Sequence, residues 1–286
     1  MKSIAAKGAL IKWGWLRALI YFVLVLLMAI LAQHIAPDVI GLLGLDPNNT
    51  GLLGLIISYI TMSVPVLAIT YLMRQFIDRN SFKSLGFAWK EYSNEAGIGL
   101  FTGIAILGIA SLLLIALGYV SMNVGAFAVE DFLLETVFLV FVAFVEELMF
   151  RGYLLNNLLQ STNKWIALVI SAIVFAIFHI SNPDISVLPV INIFVAGLLL
   201  GLNYIYTKNL WFGILLHFAW NYFQGPVFGY EVSGFKMSTV IQQTVSGPDL
   251  WTGGEFGFEG SLLCTVLQII TILFFYLMFK KRYEGQ

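Results

Sequence analysis

Five ionisable side chains stand in stretches that are otherwise apolar. Glu146, Glu147 and Arg151 lie in Phe144-Val-Glu-Glu-Leu-Met-Phe-Arg-Gly-Tyr153, His179 ends Phe175-Ala-Ile-Phe-His179, and His217 opens His217-Phe-Ala-Trp-Asn221. A charge at the centre of a bilayer costs roughly 2.5–3.5 kcal/mol, so each such group needs a partner or a purpose. Glu147 and Arg151 are four apart, share a helix face and run acid before base, the favourable order. By itself that pair reads as a structural ion pair. It leaves Glu146 unexplained, because its neighbours Val142, Ala143, Met149 and Phe150 cannot pair with it. A buried carboxylate then needs another helix, a metal or a bound water. Phe175 with His179, and His217 with Asn221, likewise share a face. Polar side chains gather inside a bundle because lipid offers them nothing, which implies one shared pocket.

These residue types suit hydrolysis. A Glu can take a proton from water. A neutral imidazole can hold a metal. His and Asn can donate hydrogen bonds to a forming oxyanion. Other membrane-protease signatures are missing: there is no His-Glu-x-x-His, no Gly-x-Ser-Gly and no Gly-x-Gly-Asp.

The elements that position these groups follow from composition. Of 286 residues, 59% are hydrophobic and 11% charged, against about 25% charged in a soluble domain. This excludes a disordered chain, a nucleic-acid binder and an ordinary cytosolic enzyme. It implies an all-α, polytopic membrane helix bundle. Eight intervals are expected to span: 15–34, 51–73, 96–119, 131–157, 165–181, 187–206, 209–224 and 261–279. A short amphipathic piece precedes the third, around Ser84–Trp89. The first is expected to be a retained signal anchor.

Basic residues set the orientation. With the N-terminus inside, Lys2, Lys7, Lys12, Arg17, Arg74, Arg79, Lys83, Lys90, Lys164, Lys208, Lys280, Lys281 and Arg282 are cytoplasmic, 13 of 15. Only Lys236 is outside, and Arg151 lies in the fourth span. Both termini are therefore expected in the cytoplasm, with residues 1–286 as a single membrane domain. The connection 225–260 is then an extracytoplasmic Gly-rich loop carrying Glu231, Asp249, Glu255 and Glu259. It reads either as a flexible solvated loop or as a lid that touches substrate. Glu135 is expected near water and His34 at the interface. Cys264 reads as a small hydrophobe. At about 1.5 Å per residue, Glu146 and His217 fall at compatible depths. His179 falls too deep, unless its helix starts later, tilts or follows a re-entrant path.

Glu-Glu-x-x-x-Arg, Phe-x-x-x-His and His-x-x-x-Asn, in this order on three spans, resemble the CPBP family, the CAAX proteases and bacteriocin-processing (Abi) enzymes. The resemblance covers about 130–223, the expected catalytic core helices. It implies that Glu146 and His179 activate the hydrolytic water and that His217 and Asn221 stabilise the oxyanion, with Glu147 also in the catalytic set and Arg151 and Phe175 as support. It leaves two options for a cofactor. Either Glu146, His179 and His217 bind a divalent metal such as zinc, with Glu147 as base, or Glu146 is the base and no metal takes part. The implied activity is an intramembrane endopeptidase acting on a membrane-associated peptide or protein, in a bacterial plasma membrane. The alternatives are a non-catalytic bacteriocin-immunity or partner-binding protein on the same scaffold, and a proton-coupled transporter. The lack of inverted repeats weighs against the transporter.

Overall fold

The computed structural model describes residues 8–125 and 128–283. Lys2 and Lys7, assigned above to the inner side, and both chain ends lie outside these residues. Helices α1 (Gly14–Leu42), α2 (Gly51–Leu72) and α3 (Ser93–Ala116) lead to strand β1 (Val120–Val124). Helix α4 (Val129–Glu147) widens into a π-helix over Leu148–Leu155 and ends in the short α5 (Asn156–Leu158), one continuous column. Then come α6 (Lys164–Phe178), α7 (Val187–Thr207), α8 (Trp211–Tyr222), β2 (Ile241–Val245), the single turn α9 (Asp249–Thr252) and α10 (Leu262–Tyr283).

Each interval expected to span contains a helix. Among the described residues, five helical stretches are long and apolar enough to cross a membrane: Gly14–Leu42, Gly51–Ile77, Ser93–Ala116, Val187–Thr207 and Leu262–Tyr283. Helices of this kind are apolar on every side, as a surface facing lipid requires. The α4 column is interrupted by its own charges. The amphipathic piece before α3 begins as a 3₁₀ turn, Phe82–Leu85, with Leu85 buried.

The chain reads 165–181 as a span, but α6 has only 15 residues and stops at Phe178. That is about 22 Å of helix, short of a hydrocarbon core about 30 Å thick. His179 caps it. Because α6 begins at Lys164, a later helix start is not what brings His179 level with Glu146 and His217.

Two features fasten the bundle around the site. At one end of α1 and α2, the fully buried Asp78 accepts from Arg17 at 2.8 Å and Arg74 at 2.9 Å, with the Tyr153 hydroxyl at 3.2 Å. At the opposite end, β1 and β2 pair antiparallel, from Val120 opposite Val245 to Val124 opposite Ile241. This ribbon ties the connection before α4 to the 225–260 segment. That segment is a folded part of the molecule, with Phe256 and Phe258 buried, and not a free solvated loop. Its glycines and acids suggest mobility in sequence because the backbone contacts that hold them join distant residues.

Removing one partner from a buried ion cluster leaves charge without compensation, at a cost of about 3–5 kcal/mol. Asp78→Ala is expected to lower the thermal midpoint of the detergent-solubilised protein sharply, because Arg17 and Arg74 would face each other unneutralised. Static light scattering with temperature measures this.

Candidate active site

Glu146 and Glu147 close the regular part of α4, immediately before the π-helix. Extra π turns inside α-helices recur at functional sites. Here they follow two adjacent acids that point to different surroundings. Glu147 is fully buried and accepts from Arg151 Nη1 at 2.7 Å. Arg151 Nη2 donates to the Gly197 carbonyl of α7 at 2.9 Å. The guanidinium lies 4.5 Å from the centre of the Phe175 ring on α6. Helix α8 comes close because residue 213 is glycine: a Cβ there would sit 2.6 Å from Glu147 Oε2. The ion pair therefore knits α4 to α6, α7 and α8.

From this core Glu147 reaches the second motif. His217 Nδ1 lies 3.2 Å from Glu147 Oε1, the oxygen that Arg151 also holds. His179 Nδ1 lies 2.8 Å from the Phe175 carbonyl, one turn earlier on α6. A carbonyl only accepts, so His179 Nδ1 carries the proton. A carboxylate held by arginine also accepts, which places a proton on His217 Nδ1. In both rings the Nε2 atom is left facing inward.

Glu146 faces them. Its Oε2 is 3.8 Å from His179 Nε2 and 3.9 Å from His217 Nε2, and this buried oxygen has no hydrogen-bond partner. Its Oε1 accepts from the Tyr59 hydroxyl of α2 at 3.3 Å. Glu146 and His179 keep slight exposure, 14% and 15%, to a cavity of about 260 Å³. The walls of that cavity are mostly apolar, with Asn221, Asn182, Ser233 and Glu259 as further polar lining. Asn221 lies one turn beyond His217 on α8. The group thus combines a carboxylate oxygen, two imidazole nitrogens and an amide around one cavity. It can polarise a water and stabilise negative charge near the same point.

The donor types suit a divalent metal, and both rings have the outward Nδ1 hydrogen bond typical of metal-ligating histidine. The spacing does not fit. Ligands about 2.0–2.1 Å from a tetrahedral zinc are about 3.4 Å apart, closer than the separations here. No trio of His, Cys, Asp or Glu among the described residues is spaced to hold a metal ion.

The structure brings together Glu146, His179, His217 and Asn221. It puts Glu147 and Arg151 behind the cavity wall, where they line nothing. A direct role for Glu147 as base toward a ligand in the cavity therefore has no geometric support. Glu135, read as reaching water, is 2% exposed. It accepts from the Ser238 N–H at 2.7 Å instead. Three participants had no signal in the sequence reading. Tyr59 belongs to a span with no acid, base or histidine, Gly213 matters only through a close approach, and Glu259 seemed one of several loop acids.

Arg151→Ala is expected to destabilise the protein by about 3–5 kcal/mol, since it strands the Glu147 charge in the core. Combining it with Glu147→Gln is expected to recover much of that loss. Thermal unfolding of the single and double variants measures both.

Residues 128–223 match the family model described as type II CAAX prenyl endopeptidase Rce1-like. The matched stretch contains all three motifs, so the family resemblance drawn from them is borne out. No curated protein and no solved structure matches the chain. Tyr59 and the wall formed by residues 232–259 lie outside the matched stretch.

Proposed function

With residues 128–223 taken as the core of an Rce1-like CAAX protease, we propose that the protein is an intramembrane endopeptidase that hydrolyses a peptide bond of a membrane-associated substrate. The observation that carries this reading is the unpartnered Glu146 Oε2 facing two imidazole Nε2 atoms across 3.8 and 3.9 Å. Three acceptors converging without a donor form a place for water. A non-catalytic binding protein on this scaffold would have no use for that arrangement.

In this reading Glu146 Oε2 takes a proton from a water held against His179 Nε2. The resulting hydroxide attacks the scissile carbonyl carbon. Asn221 Nδ2, together with His217 when its Nε2 is protonated, donates to the oxyanion. Collapse of the tetrahedral intermediate breaks the C–N bond, and Glu146 returns its proton to the leaving amine. Glu147 and Arg151 act through His217, by fixing the ring. Tyr59 keeps Glu146 Oε1 occupied, so that Oε2 remains the inward oxygen.

The same reading includes eight spans, with the α4 column, α6 together with the turn after it, and α8 together with the π turn Phe223–Val227 crossing alongside the five long helices. Both termini are cytoplasmic and the 225–260 segment lies outside, in the plasma membrane of a bacterium. Residues 130–223 are the catalytic part of one membrane domain. The substrate class follows the matched family: a peptide with a prenylated cysteine is the first probe to use.

The test is release of the C-terminal tripeptide from a synthetic prenylated-cysteine peptide, followed by mass spectrometry in lipid vesicles. Glu146→Gln, His179→Ala and His217→Ala are each expected to slow release by about a hundredfold or more. Full activity in all three, at normal expression, overturns the proposal. Because the spacing does not suit a metal, cleavage is expected to survive excess chelator. Loss of activity that added zinc restores would instead assign a metal to Glu146, His179 and His217.

A further inference from the structure

The segment Ser233–Ser238 lies across the cavity as a strap. Its path is fixed at both ends by buried carboxylates from elsewhere in the chain. At the first end Glu259 Oε2 accepts from the Ser233 N–H at 2.8 Å and the Ser233 hydroxyl at 2.6 Å. At the second end Glu135 Oε1 accepts from the Ser238 N–H at 2.7 Å. Around the first tie, Val232 and Phe235 exchange both backbone hydrogen bonds at 2.9 Å. The turn they close needs two left-handed residues, Ser233 at φ 51° and Gly234 at φ 85°. A Cβ on Gly234 would lie 2.3 Å from the Pro183 carbonyl, so the strap is also pressed onto the turn after α6.

The ties lead directly to the catalytic motifs. Glu259 Oε1 accepts from Trp220 Nε1 at 2.9 Å, and Trp220 immediately precedes Asn221. Asn182, three residues beyond His179, donates to the Ser233 carbonyl at 3.2 Å. The strap is thus held at a set distance from both histidine-bearing elements. Beyond the turn its side chains alternate as an extended chain requires: Phe235 and Met237 line the cavity, while Lys236 points out and is exposed. Met237 also packs with Phe138, Leu139 and Val142 of α4.

Two buried carboxylates held in place to anchor six residues are a large expense for a mere connection. We propose that Phe235 and Met237 are specificity-determining residues, forming the apolar wall that selects the side chains flanking the scissile bond. Glu135 and Glu259 are the positioning residues that hold this wall. The inference rests on the endopeptidase reading and extends it to the choice of peptide. The wall excludes charged side chains, which would lose their water without gaining a partner. It also limits the volume of apolar ones.

The experiment uses prenylated-cysteine peptides that differ only in the two residues after the cysteine, from Ala through Leu to Phe and Trp. The kcat/KM ratio of large to small members is measured for the wild type and four variants. Phe235→Ala and Met237→Ala are each expected to raise that ratio about tenfold, the scale on which an apolar pocket discriminates volume. Phe235→Trp is expected to lower it. Glu259→Gln is expected to flatten the preference through a looser strap. Opposite shifts from Ala and Trp at one position are not produced by misfolding, which lowers all rates together. Wild-type cleavage with the same ratio in every variant overturns the inference and leaves the protease reading standing. A wild type that cleaves no member, while behaving like Glu146→Gln, overturns both.

Discussion

The Glu147–Arg151 pair is the contact on which the site depends. In a medium that solvates neither partner, each ion can persist only beside the other, and that requirement fixes more than the two residues. Arginine has donors to spare, and it uses one on the Gly197 carbonyl and its flat face on Phe175. Glutamate has a second use for its bonded oxygen and gives it to His217. One neutralised pair therefore sets the mutual positions of four helices. Glu146, the residue just before Glu147, is left without an arginine of its own beside the cavity that those helices line.

Such adjacency has a chemical advantage. Two neighbouring acids at the end of a helix would ordinarily repel each other and share one fate. Here the arginine takes one, while the other retains an unpartnered oxygen. The division of labour is set by geometry, since the two residues are chemically identical. Behind the wall, the paired acid orients a ring. In the cavity, the unpaired acid faces the free nitrogens of that ring and of His179.

Much of this was legible from residue types. Ionisable groups in apolar runs are rare enough to be noticed one by one, and their four-residue spacings put them on common faces. Helix positions followed from hydropathy alone, because lipid demands apolar length before anything else. Failures came where the deciding fact is a contact between distant segments. Glu135 looked exposed near a helix end, but the backbone of Ser238 covers it. The 225–260 segment looked loose because glycine content was read without the contacts that hold it, which are strand β1, Glu135 and, within the segment itself, the carboxylate of Glu259. Tyr59 was missed because hydropathy treats a tyrosine within a span as ordinary. The end of α6 was placed three residues late, at 181, because Ile180 reads as one more apolar position before Asn182-Pro183 breaks the run.

That early ending of α6 bears on supply. Peptide hydrolysis consumes a water molecule for every bond broken, and hydrocarbon holds almost none. Backbone that leaves the helix at membrane depth must find its hydrogen-bond partners in protein or in a hydrated cavity. Residues 179–186 connect α6 to α7 outside any helix, none of them is buried, and the first of them, His179, lines the cavity. If the protein hydrolyses peptides, the turn that presents the imidazole would also give water its way in, so the second reactant and the group that would receive it would arrive by the same route.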